Sequence, residues 1–138
     1  MRSPRAWGLL MLLAALIGCG SKPTPATDTG AKDVVQAYGD AIVRRDWSRA
    51  YVSLHPESRA RWSEAQFARA AEAYRAGLGF DPRSFRVRSC EEQSDRAVAH
   101  VMFNGDGRRQ QYRDGLTLAF VEGNWRVMLP LNFGKKTR

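Results

Sequence analysis

The chain has 138 residues, with 22 lysines and arginines against 14 aspartates and glutamates, a net charge of +8, and two cysteines. That length is enough for one domain. Two cysteines exclude a disulfide-rich scaffold and argue against a cysteine-based zinc module, and a hydrophobic content of 43% excludes wholesale disorder. The positive excess calls for an anionic neighbour: nucleic acid, membrane headgroups or an acidic polymer.

The apolar residues are concentrated at the start. Trp7 to Ile17 carries no charge and follows Arg2 and Arg5. A basic start, a short apolar run and a small-residue site describe a secretory signal peptide. As a helix the run would reach about 16 Å, roughly half of the ~30 Å hydrocarbon core, which is too short for a permanent span.

The run ends in Leu16-Ile17-Gly18-Cys19, which resembles the bacterial lipoprotein box. The resemblance implies that residues 1–18 are removed by signal peptidase II and that Cys19 becomes an acylated first residue. The partner is then the lipid bilayer and the address the bacterial cell envelope, facing the periplasm. Gly20, where an aspartate would retain the protein at the inner membrane, permits the outer membrane. Two or more acyl chains hold a protein stably where one holds it only marginally. Loss of Arg2 and Arg5 leaves 20 basic residues against 14 acidic, a charge of +6. The stretch 20–30, with Pro23, Pro25 and small polar residues, completes a segment 19–30 of lipidated cysteine and flexible tether. Its mean reach is about 20 Å.

The domain is expected over 31–133, followed by a basic tail, 134–138. Val34, Val35, Tyr38, Ala41 and Ile42 form one helical face, closed by Arg44, Arg45 and Asp46. Asp46 is placed to cap a second helix with Trp47, Ala50, Tyr51 and Leu54 inward, and His55-Pro56 interrupts it. Ser63-x-x-Gln66 is a capping-box pattern that opens a third helix, with Phe67, Ala70, Ala71, Tyr74 and Leu78 at helical spacing until Asp81-Pro82.

From Ser84 the period becomes two. Phe85 and Val87 alternate with Arg86 and Arg88, and Ala97, Ala99, Val101 and Phe103 alternate with Val98, His100 and Met102. Asn104-Gly105-Asp106-Gly107 predicts a hairpin with positive φ, followed by a strand from Arg109 to Val121 with Leu116, Leu118 and Phe120 on one face. Glu122-Gly123-Asn124 turns the chain into a last strand lined by Trp125, Val127 and Leu129, and Pro130 ends it. Helices first and an antiparallel meander afterwards predict an α+β fold, with N-terminal helices packed on a sheet.

Three stretches, Val34 to Tyr38, Arg45 to Tyr51 and Pro56 to Trp62, together with the ending Glu122 to Val127, resemble the nuclear transport factor 2-like superfamily. The resemblance implies a cone of helices against a curved antiparallel sheet. It also implies a cavity between the two layers, where the enzymes of that group place an Asp or His base with Tyr or Asp donors. The fold hosts isomerases, dehydratases and ligand-free modules, so it does not assign a function.

The candidates for cavity chemistry are His55, His100, Tyr38, Tyr51, Tyr74 and Asp114. His100 is the leading catalytic candidate if the face of Val98 and Met102 lines the cone; otherwise it is a solvated histidine. His55 before Pro56 reads as a capping residue, and Asp114 beside Gly115 as a turn residue. Tyr51, Tyr74 and His100 are the expected ligand-binding residues. Two histidines and one cysteine in the domain make no metal site, and no motif calls for a cofactor. Cys90 has no partner once Cys19 is lipidated and reads as a small, partly buried residue. The arginines read as a solvated cationic surface or one meeting anionic lipid or envelope polymers; a nucleic-acid partner lacks a reading element or stacking platform. The sequence therefore predicts a non-enzymatic envelope lipoprotein that binds a small ligand or a protein, with a small isomerase or dehydratase using His100 as the alternative.

Overall fold

The computed structural model describes residues 28–135. The signal peptide, Cys19 and most of the tether lie outside the described residues, as do 136–138. Four helices, α1 (Ala31–Arg44), α2 (Trp47–Val52), α3 (Pro56–Arg61) and α4 (Glu64–Gly77), precede four strands, β1 (Ser84–Gln93), β2 (Arg96–Asn104), β3 (Gln111–Val121) and β4 (Asn124–Met128). The strands form one antiparallel sheet in the order β1-β2-β3-β4. No helix among the described residues is long and apolar enough to cross a membrane.

The helix boundaries follow local chemistry. Asp46 caps α2 by accepting from the Arg49 amide, and Ser63 and Gln66 form the reciprocal capping box of α4. His55 does cap, through Nδ1, but it opens a further short helix, α3, with Pro56 in its first turn. The start of α1 has Gly30 at φ 103° and no side-chain cap of its own. Glu92 of β1 supplies the missing acceptor: its carboxylate takes the amides of Thr29 and Ala31 at 3.0 and 3.1 Å. Trp125 Nε1 donates to the Thr29 hydroxyl at 2.9 Å, so both ends of the sheet hold this helix start.

The sheet obeys its period. Ala97, Ala99, Val101, Phe103, Leu118, Trp125 and Val127 are buried inward with Phe85. A bulge between Val87 and Ser89 bends β1. The four-residue turn at Asn104 is in fact a loop from Gly105 to Gln110, and neither Gly105 nor Gly107 has positive φ. Gly105 is required for space instead, since a Cβ there would lie 2.4 Å from the Gln110 side chain. The positive-φ hairpin is the last one, with Glu122 at 52° and Gly123 at 81°. The chain between α2 and α3 covers the free edge of β4, where His55 donates to the Val127 carbonyl and Val127 to that of Ser53, each at 2.8 Å.

Two residues set the helix layer. Gly39 lets α1 lie against Phe85, because a Cβ there would fall 2.2 Å from the ring. Arg75 of α4 is buried, and Nη1 donates to the carbonyls of Ile42 and Val43 at 2.9 and 2.8 Å, while Nη2 meets Asp81. Desolvation lowers its pKa first, and Arg45 adds to that. Arg75→Met removes the side-chain donor shared by the Ile42 and Val43 carbonyls and strips Asp81 of its closest cation, and is expected to cost about 2–4 kcal/mol in urea unfolding. Lysine at this position should recover less than half, since one ammonium cannot replace the planar fork.

Candidate functional site

The inward rows of the sheet contain one polar interruption. Asp114 pairs with Val101, and the register puts it in the row between Tyr112–Phe103 and Leu116–Ala99. It is therefore four residues into β3 and faces the helices; it does not form a turn. The alternation that predicts Leu116, Leu118 and Phe120 inward extends back to Asp114 and Tyr112, and that was the available signal. Asp114 Oδ2 accepts from the Tyr74 hydroxyl at 2.7 Å, and Oδ1 from the amide of Gly115 at 2.8 Å.

Around this pair is a cavity of about 190 Å³, lined by Tyr38, Tyr74, Phe103, Tyr112, Leu129 and Phe133 with Asp114. That is smaller than the ~300–1,000 Å³ typical of ligand sites. Tyr38 comes from α1 and Tyr74 from α4. Phe133 comes from the segment after β4, stacks on Tyr74 at 5.2 Å and on Phe67 at 6.0 Å, and was not singled out by the sequence. Gly134 makes that approach feasible, with φ 73° and the Ala70 carbonyl 2.4 Å from where a Cβ would be.

The two inner phenols are electrostatically coupled to the carboxylate. Burial, then the negative charge of Asp114, raises the pKa of both Tyr38 and Tyr74 above the ordinary phenol range. Tyr38 is only 3% exposed, and its hydroxyl makes no hydrogen bond to a described residue.

The other expected ligand residues are elsewhere. The Tyr51 hydroxyl donates to the carbonyls of Trp62 and Arg59 at 2.8 and 3.3 Å, which closes α3 against α2 and keeps it out of the cavity. His100 pairs with Ser89 and Gly115 in an outward row, exposed in a shallow groove with Arg88 and Arg113. The period of β2 that buries Ala99 and Val101 turns His100 away from the cone, so it does not line the cavity that holds Tyr74 and Asp114. Cys90 is half-buried with a free thiol, whose pKa is raised by burial and then by Glu92 and Asp28. Among the described residues no group of three or more metal-ligating side chains converges.

Tyr38 and Tyr74 contribute stability that is complete below the ordinary phenol pKa of about 10 and lost as pH rises through their higher folded values. A spectrophotometric titration should therefore show a phenolate component that appears only with alkaline unfolding. The double variant Tyr38→Phe, Tyr74→Phe should lack it.

No protein-family model matches the sequence, and no curated protein matches it. Solved structures do. An NTF2-like protein of Campylobacter jejuni, to which transpeptidase activity has been attributed, superposes with a TM-score of 0.58 at 10% identity, over 71% of this chain and 96% of that one. A Kribbella flavida protein with an attributed ketosteroid isomerase activity gives 0.45 at 18% identity, over 81% and 92%. A de novo designed protein with a curved β-sheet gives 0.47 at 18%, over 70% and 92%. At these identities the likeness is one of architecture: the chain has the nuclear transport factor 2-like α+β cone fold, with helices against a curved antiparallel sheet.

Proposed function

We propose that this chain is a membrane-anchored lipoprotein of the bacterial cell envelope whose domain binds a small ligand, without converting it, in the cavity between Tyr38, Tyr74 and Asp114. The observation that carries the binding role is the Tyr38 hydroxyl. Tyr38 is 3% exposed and lines the cavity, and its hydroxyl is open to that space and not committed to another side chain. A hydroxyl that faces a cavity and holds no intramolecular bond is free to donate to, or accept from, a ligand seated there. Both phenols are protonated at neutral pH, and their raised pKa values extend that state into the alkaline range.

The anchor rests on Leu16-Ile17-Gly18-Cys19 in the sequence. The outward rows of the sheet support an anionic neighbour, which the anchor makes the lipid surface. Arg86 and Arg113 flank Met102, and Arg96 and Arg126 flank Ala119, while Glu91 is the acid of these rows. Such a face is attracted to negative headgroups within a screening length of about 8 Å. An orientation with the domain in the periplasm, on the outer membrane, agrees with Gly20 following the cysteine.

A second use of the cavity, as the active site of a small isomerase or dehydratase, is favoured by one distance. The Tyr74 hydroxyl lies 2.7 Å from the Asp114 carboxylate, so a base and a donor stand together. Asp114 would take the role expected of His100, which the sheet turns outward.

Two measurements test the proposal. In the full chain in detergent solution, small polar fragments should shift the amide NMR signals of Tyr38, Tyr74, Tyr112 and Asp114. Tyr38→Phe should weaken the best fragment about fivefold, the worth of one neutral hydrogen bond of ~1 kcal/mol. Shifts confined to the outer sheet would overturn the binding role. Separately, Cys19→Ala should move the protein from the membrane to the soluble fraction, and retention on the membrane would overturn the anchor.

A further inference from the structure

We infer that the cavity is selective for a small organic cation, an alkylammonium group seated between the Asp114 carboxylate and the surrounding aromatic rings; the inference rests on the ligand-binding role proposed above. Three features of the site converge on that class.

The first is an uncompensated charge. The ion pairs among the described residues gather on Glu72, Asp81 and Asp106, all outside the cavity, and Asp114 has none. Its partners are a neutral hydroxyl and a neutral amide. In a chain with so many arginines, an inward carboxylate without a cation is the exception. Lys135 lies at the cavity wall but forms no ion pair with it.

The second is the wall. Tyr38, Tyr74, Phe103, Tyr112 and Phe133 surround the carboxylate. Phe103 and Tyr112 each meet Tyr74 edge to face, at 5.9 and 6.4 Å, and Phe133 stacks on it. Aromatic faces carry the negative end of the ring quadrupole and attract a desolvated cation, as in cages that bind quaternary ammonium groups.

The third is exclusion of the alternatives. An anion would be brought against the unpaired Asp114 carboxylate, with Lys135 the one cation on the lining to set against that repulsion. A neutral ligand that covers the cavity would desolvate the carboxylate and return no charge to it, a loss for any buried ion left unpaired. A compact ammonium compensates the charge and fills the aromatic space together. The volume of about 190 Å³ restricts the ligand to a small headgroup.

The test uses choline and its uncharged carbon isostere, in which a quaternary carbon replaces the nitrogen, titrated into the full-length protein in detergent solution and followed by amide NMR. Choline is expected to shift the signals of Tyr38, Tyr74, Tyr112 and Asp114, and to bind at least about tenfold more tightly than the isostere. Asp114→Asn should remove most of that difference, and Lys135→Ala should enlarge it by relieving a like charge. Tyr112→Leu, at a half-exposed ring, should weaken choline more than the isostere and serves if Asp114→Asn fails to fold. Equal or tighter binding of the isostere would overturn the cation assignment and leave the cavity as a binding site. Absence of choline binding would also overturn it. If fragments of other charge still shift these signals, the binding role survives; if nothing does, both fail.

Discussion

The guanidinium of Arg75 ties three separate parts of the chain into one layer. It meets the last carbonyls of α1, at Ile42 and Val43, from its place on α4, and also reaches Asp81 in the connection that leads to β1. Helix ends leave carbonyls that need donors; Ile42 also accepts the Arg45 amide at 3.3 Å, and Arg75 adds a donor to it and to Val43. A planar cation answers both at once and brings its charge into the negative end of the α1 dipole. The Arg45–Glu72 pair also joins the end of α1 to α4, and Phe67 packs α4 on Tyr51 and Phe133, so Arg75 fixes the C-terminal turn of a helix that is also held along its length.

That position matters because the residue before Arg75 is Tyr74. With α4 pinned at its C-terminal turn, the Tyr74 ring points toward β3 and its hydroxyl meets Asp114. The segment after β4 then closes the remaining side, with Phe133 stacked on Tyr74 and Gly134 pressed on the backbone of Ala70. On the opposite side Gly39 brings α1 so close to Phe85 that Tyr38 becomes part of the same wall. The cavity is the space left where three elements of unrelated sequence position meet the concave face of the sheet.

The sheet also separates charge. Its outward rows collect Arg86, Arg96, Arg113 and Arg126, while the inward face holds Asp114. Neighbouring residues Arg113 and Asp114 stand on opposite faces because the strand period is two. No ion pair joins the outward arginines to Asp114, so one four-stranded sheet presents a basic exterior and an aromatic interior with a carboxylate in it.

Much of the architecture was legible in the residues. Asp46, His55 and the Ser63–Gln66 box cap helices where their types and spacing say they should, since capping is a bond between residues two or three apart. The alternation of β2 and the inward set Trp125, Val127 and Leu129 follow the same short-range logic. Less legible was α3, a single turn, and the loop after Asn104, where glycine serves space and not positive φ. Tyr51 had the composition of a ligand residue but spends its hydroxyl on backbone carbonyls.

By itself, then, the sequence determined the order of helices and strands, their caps and which residues share a face, because those depend on hydrogen bonds and periodicity within a few positions. Which face of β2 and β3 turns to the helices was decided only by tertiary packing, and with it the exclusion of His100 and the choice of Asp114. Tyr74 and Asp114 are 40 positions apart, and Tyr38 lies on another helix again. No local rule brings them together; burial of Phe67, Phe85 and Phe103 and the buried fork of Arg75 do, since side chains meet where apolar surface leaves water and not where the chain is near itself.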